Sequence, residues 1–323
     1  MSLGEFDLIA RYFTRATPRA VVGPGDDCAV IAPRAGMQLA VSSDMLVEGR
    51  HFLSTVEPRR LGHKALAVNL SDLAACGAQP LACTLALALP RADAAWLEGF
   101  AAGFHALAEA HGCELIGGDT TAGPLNLCVT VFGEVPAGAA LLRSGARAGD
   151  ELWVSHAIGG GLGDARLALE VFRGAVVLPG EAFERVRRAM EEPQPRVALG
   201  LALRAVATAA IDVSDGLLGD LGHVLRRSGV GATVDADALP RSAELATQPL
   251  ALQRLCTLSG GDDYELVFTA PPAARSRVEA AAREAGVGVA CIGRIEAAHG
   301  LRVVDAAGRT LDGAWASFDH FKS

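Results

Sequence analysis

The residues best suited to chemistry in this chain are aspartates that recur beside glycine, serine or threonine. Carboxylate and hydroxyl oxygens are ligands that Mg²⁺ prefers, together with water and phosphate oxygens. A single aspartate next to glycine is usually a turn or helix-cap residue. Recurrence in six stretches exceeds what capping requires and favours metal-dependent chemistry at turns that end strands. The stretches are GPGDD (23–27), VSSD (41–44), NLSD (69–72), IGGD (116–119), IDVSD (211–215) and SGGDD (259–263).

Asp72 is the most informative of these aspartates because its surroundings are apolar. The stretch from about Pro58 to Cys76 is typical of a helix, in which Asn69 lies one turn before Asp72 on the same face. An unpaired carboxylate in an apolar setting is costly unless it is neutralised, hydrated or given a cation. We therefore expect Asp72 to face a bound Mg²⁺, with Asn69 offering a second oxygen.

Phosphate groups at such a metal would need partners other than the common glycine-rich loops. No Gly-Lys pair occurs, so a GxxxxGK[ST] loop is absent, and the glycines of IGGGLGD (158–164) do not fit GxGxxG. Metal ions, arginine and backbone amides remain as phosphate partners. Arg143 and the glycine turn at 116–119 are the candidates.

Charge, apolar stretches and cysteine spacing indicate which kinds of partner and metal site this chain is not expected to have. A net charge of −8, with Lys64 and Lys322 as the only lysines among 323 residues, argues against nucleic-acid binding. No secretory signal or bilayer-spanning stretch is evident, so we expect a cytoplasmic protein with no membrane partner. The seven cysteines form no CxxC pair, which argues against a zinc site or a disulfide framework.

Hydrophobic patterns predict alternating helices and strands in both halves of the chain, as in a mixed α/β protein with α+β layers. Helices are expected over 4–13, 58–76, 93–112, 196–210, 217–228 and 271–286. Strands are expected over 28–32, 38–44, 83–89, 125–135, 151–155 and 264–270 and near 288 and 302. The irregular stretch 136–150 interrupts the pattern, which predicts an N-terminal domain 1–145 and a C-terminal domain 146–323.

Taken together, these motifs closely resemble those of the thiamine-monophosphate kinase family. The resemblance extends from Gly4 to Phe321 and rests on GEFDLIARYF, GPGDDCAV, VSSDMLVEGRHF, KALAVNLSDLAACGAQP, LIGGDTT, RSGARAGD, IDVSDGL, SGGDDYEL and WASFDHF. It implies direct transfer of the γ-phosphoryl group of ATP to thiamine monophosphate, giving thiamine diphosphate and ADP, with several Mg²⁺ ions as cofactors.

The resemblance also implies an architecture. The fold would be the two-domain fold of aminoimidazole ribonucleotide synthetase. The N-terminal domain would bind ATP and Mg²⁺ and form a homodimer, in which the N-terminal sheets pair into a barrel. The C-terminal domain would complete the substrate site.

Individual positions receive roles from the same resemblance. The implied metal ligands are Asp27, Ser42, Ser43, Asp44, Asp72, Asp119, Asp212 and Asp215. The implied ATP contacts are Gly118, Asp119, Arg143 and Ser214. The implied contacts with thiamine monophosphate are His51, Asp262 and Trp315. No general base is expected, because the attacking phosphate is already ionised at neutral pH.

Alternatives remain for single residues. His51 stands beside Phe52 and could equally be a packed histidine, and Trp315 could stack on the thiazolium ring or cover the C-terminal core. This chain has Asp262 where the family often has glutamate, and Phe318 where a tyrosine is frequent.

Alternatives also remain for the whole protein. Several motifs are shared with aminoimidazole ribonucleotide and selenophosphate synthetases, although the latter would be expected to carry a lysine before Lys64. Clustered acids also suit a non-catalytic protein that binds a nucleotide or a metal.

Overall fold

A computed structural model of the chain describes residues 5–313 and Trp315, which divide into two compact units. Unit 1 comprises Met1–Leu73 and Ala78–Gly138, and unit 2 comprises Ala74–Gly77 and Ala139–Ser323. Each unit has its own main sheet. The assignment of separate functions to domains 1–145 and 146–323 stays a prediction.

Unit 1 combines a mixed sheet with two long helices. Its chain starts with helix α1 (Glu5–Leu8), a π-helical turn (Ile9–Phe13) and a small antiparallel pair, β1 (Ala20–Val22) and β2 (Val30–Ile31). The main elements follow as β3 (Met37–Val47), α2 (Pro58–Ala75), β4 (Gln79–Leu89), α3 (Ala94–His111), β5 (Glu114–Ala122) and β6 (Asn126–Pro136). The sheet order is β3-β6-β4-β5, in which only β4 and β5 run parallel. Strands β3 and β5 are therefore edges of an open sheet, and the described residues form no closed barrel.

Helix α2 is the buried centre of unit 1. Its apolar residues from Leu61 to Ala75 are all buried, as expected of a helix that is hydrophobic on every side. A Cβ on Gly62 would lie 2.0 Å from the carbonyl oxygen of Phe100 in α3, so the two helices touch at backbone distance. On the sheet side, a Cβ on Gly133 of β6 would lie 2.9 Å from Leu73. Helix α2 is thus packed between α3 and the sheet.

Helix α3 has a well-defined cap at each end. The Asp93 carboxylate accepts hydrogen bonds from the backbone N–H groups of Ala95 and Trp96, at 3.1 and 3.2 Å. Gly112 ends the helix in the left-handed conformation, with φ of 58°. These caps hold the helix that packs on α2.

Unit 2 is built on a six-stranded sheet with helices between its strands. Its strands are β7 (Glu151–His156), β8 (Ala209–Asp212), β9 (Gly231–Asp235), β10 (Leu266–Ala270), β11 (Gly288–Glu296) and β12 (Gly300–Val304). Its helices are α4 (Asp164–Phe172), α5 (Gly180–Glu191), α6 (Val197–Leu203), α7 (Leu217–Ser228), α8 (Ala243–Ala246), α9 (Leu250–Ser259) and α10 (Arg275–Ala285). The strand order is β12-β9-β11-β7-β10-β8, with only β9 and β12 parallel. Leu217, Leu221 and Val224 of α7 belong to the same buried cluster as Ile211 and Val267 of the sheet.

The mixed α/β prediction is confirmed, but several elements differ from it. The predicted turn at 116–119 lies inside strand β5, and Asp44 lies inside β3 rather than at its end. The predicted helix 196–210 ends at Leu203, and Ala209–Asp212 pairs with β10 as a strand. An apolar, alanine-rich run fits a buried strand as well as a helix, which explains this error. Among the described helices, none is both long and apolar enough to cross a membrane.

Replacement of Asp93 by alanine should remove two hydrogen bonds at the start of α3. We expect Asp93→Ala to lower the free energy of unfolding by about 1 kcal/mol, as measured by urea denaturation. Asp93→Ser keeps a capping oxygen and is the control. An equal loss in both variants would contradict the capping role.

Candidate active site

Strand β3 and helix α2 bring polar residues of two motifs together in unit 1. Ser42 Oγ donates a hydrogen bond of 2.5 Å to Asp72 Oδ2. The backbone N–H of Asp44 donates to Oδ1 of the buried Asn69 at 3.0 Å, and Asn69 Nδ2 donates to the carbonyl oxygen of Ala65 at 3.1 Å. Asn69 and Asp72 therefore both face β3, on the predicted common face. Because the Asn69 oxygen accepts from Asp44, Asn69 links helix α2 to strand β3, and its expected use as a metal ligand stays a prediction.

The alternation of side chains along β3 separates Ser43 from its neighbours. Successive side chains of a strand point to opposite faces, so Ser42 and Asp44 share one face and Ser43 lies on the other. There, the Ser43 hydroxyl is 2.9 Å from Oγ1 of Thr130 on β6. The structure thus does not bring the Ser43 side chain together with the other polar groups of its motif. The residues that share its face are exposed and apolar, namely Leu39, Val41 and Met45.

A pocket of about 310 Å³ in unit 1 brings two of the other aspartate motifs together. Asp27 comes from the loop between β1 and β2, and Asp119 comes from β5. Both aspartates are exposed, and Gly118 lines the pocket beside Asp119. Asp26 and three threonines add further polar groups, and Phe13, Leu85 and Ile116 are among the apolar residues of the lining. A cavity lined by both carboxylates and apolar side chains suits a ligand that has both a ring and a metal-bound charged end.

Gly118 is required by the close approach of β5 to β4. Its φ is 148°, and a Cβ at this position would lie 1.8 Å from the carbonyl oxygen of Leu85. Gly118 pairs with Leu85, and Asp119 pairs with Ala86, along the parallel ladder. The glycine therefore fixes where Asp119 meets the pocket.

Two acidic loops are joined in unit 2. The first loop follows β8 and contains Ser214 and Asp215, and the second loop, residues 260–264, precedes β10. The N–H of Asp262 donates to the Ser214 carbonyl oxygen at 2.8 Å, and the N–H of Tyr264 donates to the Val213 carbonyl oxygen at 2.8 Å. Two predicted site residues, Ser214 and Asp262, are thereby held side by side.

A buried carboxylate supports the first loop from within α7. Asp220 Oδ2 accepts from the N–H groups of Ser214 at 3.0 Å and Asp215 at 3.1 Å. Burial raises the pKa of Asp220 to about 7, and the neighbouring Asp215 carboxylate adds to the rise, whereas the loop amides oppose it. Asp220 therefore fixes the backbone on which Asp215 is displayed.

The second loop holds non-glycine residues in an uncommon conformation. Asp262 and Tyr264 have φ values of 61° and 51°, in the left-handed region. The Tyr264 hydroxyl donates to Asp262 Oδ1 at 3.0 Å. The next carboxylate, Asp263, accepts from the N–H of Gly163 at 2.8 Å, at the start of α4. Strained backbone that is held by several contacts is typical of functional loops.

Arg143 is exposed and precedes strand β7 of unit 2. Its carbonyl oxygen accepts from the hydroxyl of Ser228 at the end of α7. Burial lowers the pKa of His223 in α7, and the charges of Arg226 and Arg143 lower it further, whereas Asp215 opposes them. Arg143 and Asp215 thus have opposite effects on the pKa of His223.

The predicted substrate contacts His51 and Trp315 have local structural roles. His51 Nδ1 accepts from the N–H of Val47 at 3.0 Å, which leaves Nε2 as the protonated nitrogen of the neutral ring. Trp315 is partly buried against the hydrophobic cluster of unit 2. Phe318, at the second departure from the family pattern, lies outside the described residues.

The donors of these motifs are oxygens, which fits Mg²⁺ rather than a thiol-preferring metal. Among residues 5–313 and Trp315, no three His, Cys, Asp or Glu side chains form a ready-made metal-binding group. Mg²⁺ is commonly held by one or two carboxylates together with waters and substrate phosphates. Pairs such as Ser42 with Asp72, and Asp27 with Asp119 in the pocket, are compatible with that mode.

Three roles were not predicted from the sequence. Asn69 links helix α2 to strand β3, Asp220 holds the loop of Ser214 and Asp215, and Tyr264 donates a hydrogen bond to Asp262. The signal for Asp220 was its place five residues after Asp215, near the start of a predicted helix. Tyr264 gave no such signal, since its contact depends on two left-handed residues in one loop.

An alanine at Gly118 should disturb both the strand and the pocket. We expect Gly118→Ala to lower the free energy of unfolding by about 1–3 kcal/mol, because its Cβ meets a backbone oxygen and its φ is unfavourable. Gly123→Ala is the matched control, since its Cβ would make only an ordinary contact of 3.5 Å with Ala88. Urea denaturation of both variants checks this, and equal stabilities would contradict it.

Family models and known relatives match this chain over most of its length. The family model "AIR synthase related protein, N-terminal domain" matches residues 25–135, and the corresponding C-terminal domain model matches residues 147–306. The thiamine-monophosphate kinase of Salmonella typhimurium is 46% identical, over 99% of each chain.

Solved structures give the same result. The crystal structure of thiamine-monophosphate kinase from Stenotrophomonas maltophilia K279a is 47% identical, with a TM-score of 0.84 over 94% of this chain and 97% of the other. AaThiL complexed with AMPPCP and TMP is 29% identical, with a TM-score of 0.77 over 90% of this chain and 89% of the other. The chain therefore belongs to the thiamine-monophosphate kinase family, within the AIR synthase related proteins.

Proposed function

We propose that this chain phosphorylates thiamine monophosphate with ATP, giving thiamine diphosphate and ADP. The observation that carries the proposal is the pocket of unit 1, where Asp26, Asp27 and Asp119 line a cavity together with apolar side chains, in a chain with full-length kinase relatives. The AMPPCP and TMP of the AaThiL complex support the same pair of substrates. The kinase relatives also favour this reaction over that of a ribonucleotide or selenophosphate synthetase, and over a non-catalytic role.

Charge is the main obstacle to this reaction, since donor and acceptor are both phosphate groups. Bound Mg²⁺ would supply the positive charge that offsets their repulsion. We assign its coordination to oxygen-bearing residues, namely Asp27, Ser42, Asp44, Asp72 and Asp119 of unit 1 and Asp212 and Asp215 of unit 2. Ser43 is left out of this set, because its side chain lies on the opposite face of β3, beside Thr130. The support for this assignment is the all-oxygen donor set described above.

The nucleotide contacts in the proposal are Gly118, Asp119, Arg143 and Ser214. Gly118 lines the pocket beside Asp119, where its backbone could contact the nucleotide. The planar guanidinium of Arg143 could grip two phosphate oxygens at once, which a lysine cannot do. The loop of Ser214 is already fixed by Asp220, so little order would be lost on binding.

The acceptor contacts in the proposal are His51, Asp262 and Trp315. The Nε2–H of His51 could donate to a phosphate oxygen. The carboxylate of Asp262 is opposite in charge to the thiazolium ring, and Trp315 could cover that ring through a cation–π contact. No residue is needed as a general base, because the attacking phosphate oxygen is ionised at neutral pH. Transfer is then direct and in line between the two phosphates.

A homodimer is part of the proposal, with domain 1–145 carrying nucleotide, metal and dimer contacts and domain 146–323 completing the substrate site. Strand β3 is an eleven-residue edge whose outer face exposes Leu39, Val41 and Met45. A long exposed edge with an apolar face is a liability unless another chain covers it. A second copy of the same strand would cover it and continue the sheet towards a barrel. We place the dimer in the cytoplasm.

The function is tested by an ADP-release assay with ATP, Mg²⁺ and either thiamine monophosphate or thiamine. We expect ADP release that depends on thiamine monophosphate, because only this acceptor carries an ionised phosphate. ADP release at equal rates with thiamine, or none with thiamine monophosphate, would contradict the proposal.

Asp72→Asn tests the metal assignment. The substitution keeps an oxygen that can accept from Ser42 but removes the negative charge. We expect folded protein with turnover reduced by at least about 10- to 100-fold at limiting Mg²⁺, the loss seen when partners of metal ligands are removed. Asp93→Asn makes the same chemical change at the cap of α3 and is the control. Near-normal turnover of folded Asp72→Asn protein would show that Asp72 does not hold the metal.

Val41→Asp tests the dimer. Val41 is 58% exposed on the outer face of β3, and a carboxylate there would be buried in the proposed interface. We expect light scattering to give twice the chain mass of 33.3 kDa for the wild type and the chain mass for Val41→Asp. Val177→Asp, at a 91% exposed residue of unit 2, should stay dimeric. A monomeric wild type would exclude the proposed interface.

A further inference from the structure

We infer that Tyr264 is a positioning residue, which aims the Asp262 carboxylate at the cationic ring of the substrate. The inference rests on the proposed substrate role of Asp262 and adds a residue to which no role has been assigned. Its basis is the hydrogen bond of 3.0 Å from the Tyr264 hydroxyl to Asp262 Oδ1.

The Tyr264 side chain is a fixed point in unit 2. It is only 8% exposed, and its backbone N–H donates to the carbonyl oxygen of Val213, the residue after β8. The loop is also attached to the sheet through strand β10, which follows it, since Leu266 of β10 pairs with Asp212 of β8. A phenol held in this way can orient a neighbour without moving itself.

Asp262 is attached to the same framework through its backbone. Its N–H donates to the Ser214 carbonyl oxygen, and its φ of 61° lies in the left-handed region. Aspartate is enriched in this conformation compared with most non-glycine residues. The chain thus has a short carboxylate on a backbone held in this conformation, and the Tyr264 hydroxyl holds that side chain in one orientation.

The consequence for the reaction is preorganised binding. A carboxylate that is already oriented loses less side-chain freedom when it meets a cationic ring. The ring is remote from the transferred phosphoryl group and keeps its charge throughout. The contact therefore stabilises the bound substrate and the transition state equally, which lowers KM without changing kcat.

The kinetic test compares Tyr264→Phe, Asp262→Asn and the double variant. We expect Tyr264→Phe to raise KM for thiamine monophosphate about 3- to 10-fold, with kcat and the KM for ATP unchanged. In the Asp262→Asn background, the same change should alter KM by less than about twofold, because Tyr264 acts through the carboxylate. Tyr12→Phe is the matched control, since the Tyr12 hydroxyl is buried and has no hydrogen-bond partner among the described residues.

The outcomes separate this inference from the proposed function. A wild type without turnover of thiamine monophosphate overturns both. If Asp262→Asn leaves KM unchanged, the substrate role of Asp262 fails, and the role of Tyr264 fails with it. If Asp262→Asn raises KM but Tyr264→Phe does not, or raises it equally in both backgrounds, only the role of Tyr264 fails.

A second measurement avoids any loss of stability caused by Tyr264→Phe. The chain contains only two tyrosines, Tyr12 and Tyr264, so 3-fluorotyrosine labelling gives two fluorine resonances, which Tyr12→Phe assigns. We expect thiamine monophosphate to shift the Tyr264 resonance but not that of Tyr12, and the shift to disappear in Asp262→Asn. An unmoved Tyr264 resonance at saturating substrate would overturn the inference.

Discussion

The contact between helix α2 and edge strand β3 is the constraint on which unit 1 depends. The apolar residues of the helix are all buried, and its polar groups at Asn69 and Asp72 have partners on β3, which include the N–H of Asp44 and the hydroxyl of Ser42. These partners set the register of β3 against the helix. A slip by one residue would turn Ser42 and Asp44 outward and bring the apolar face of the strand inward. The position of the carboxylates and the exposed apolar edge are therefore consequences of one contact.

In unit 2, hydrogen bonds within and between loops hold the acidic residues in place. Asp212 ends strand β8, whereas Asp215 and Asp262 lie in loops that are held by groups which do not themselves need to touch a substrate. Asp220 fixes the loop of Ser214 and Asp215, and the carbonyl oxygens of that loop in turn fix the backbone of Asp262. Loops fixed in advance lose little entropy on binding, whereas strand-borne acids such as Asp119 are fixed by the sheet itself.

Features that depend on the spacing of nearby residues could be predicted from the sequence. The helix containing Asn69 and Asp72 follows from a long apolar stretch, and their common face follows from their spacing of three residues. Family membership could likewise be predicted, because the acidic motifs are short and contiguous. The turn predicted at Gly118 was wrong, since this glycine is required by Leu85, which lies far away in sequence. For the same reason, the partner of Asn69 could not be predicted, because it is a backbone N–H on another element. The role of each implied ligand stays a prediction.

The central claim is that the oxygen-rich motifs hold divalent metal beside the phosphates of the substrates. Crystals grown with Mn²⁺, AMPPCP and thiamine monophosphate test it most directly, because Mn²⁺ replaces Mg²⁺ at oxygen sites and is located by its anomalous scattering. The account predicts anomalous peaks at coordination distance, about 2.0–2.3 Å, from carboxylate oxygens that include those of Asp72 and Asp119. Fully bound nucleotide with no peak at either carboxylate would contradict it.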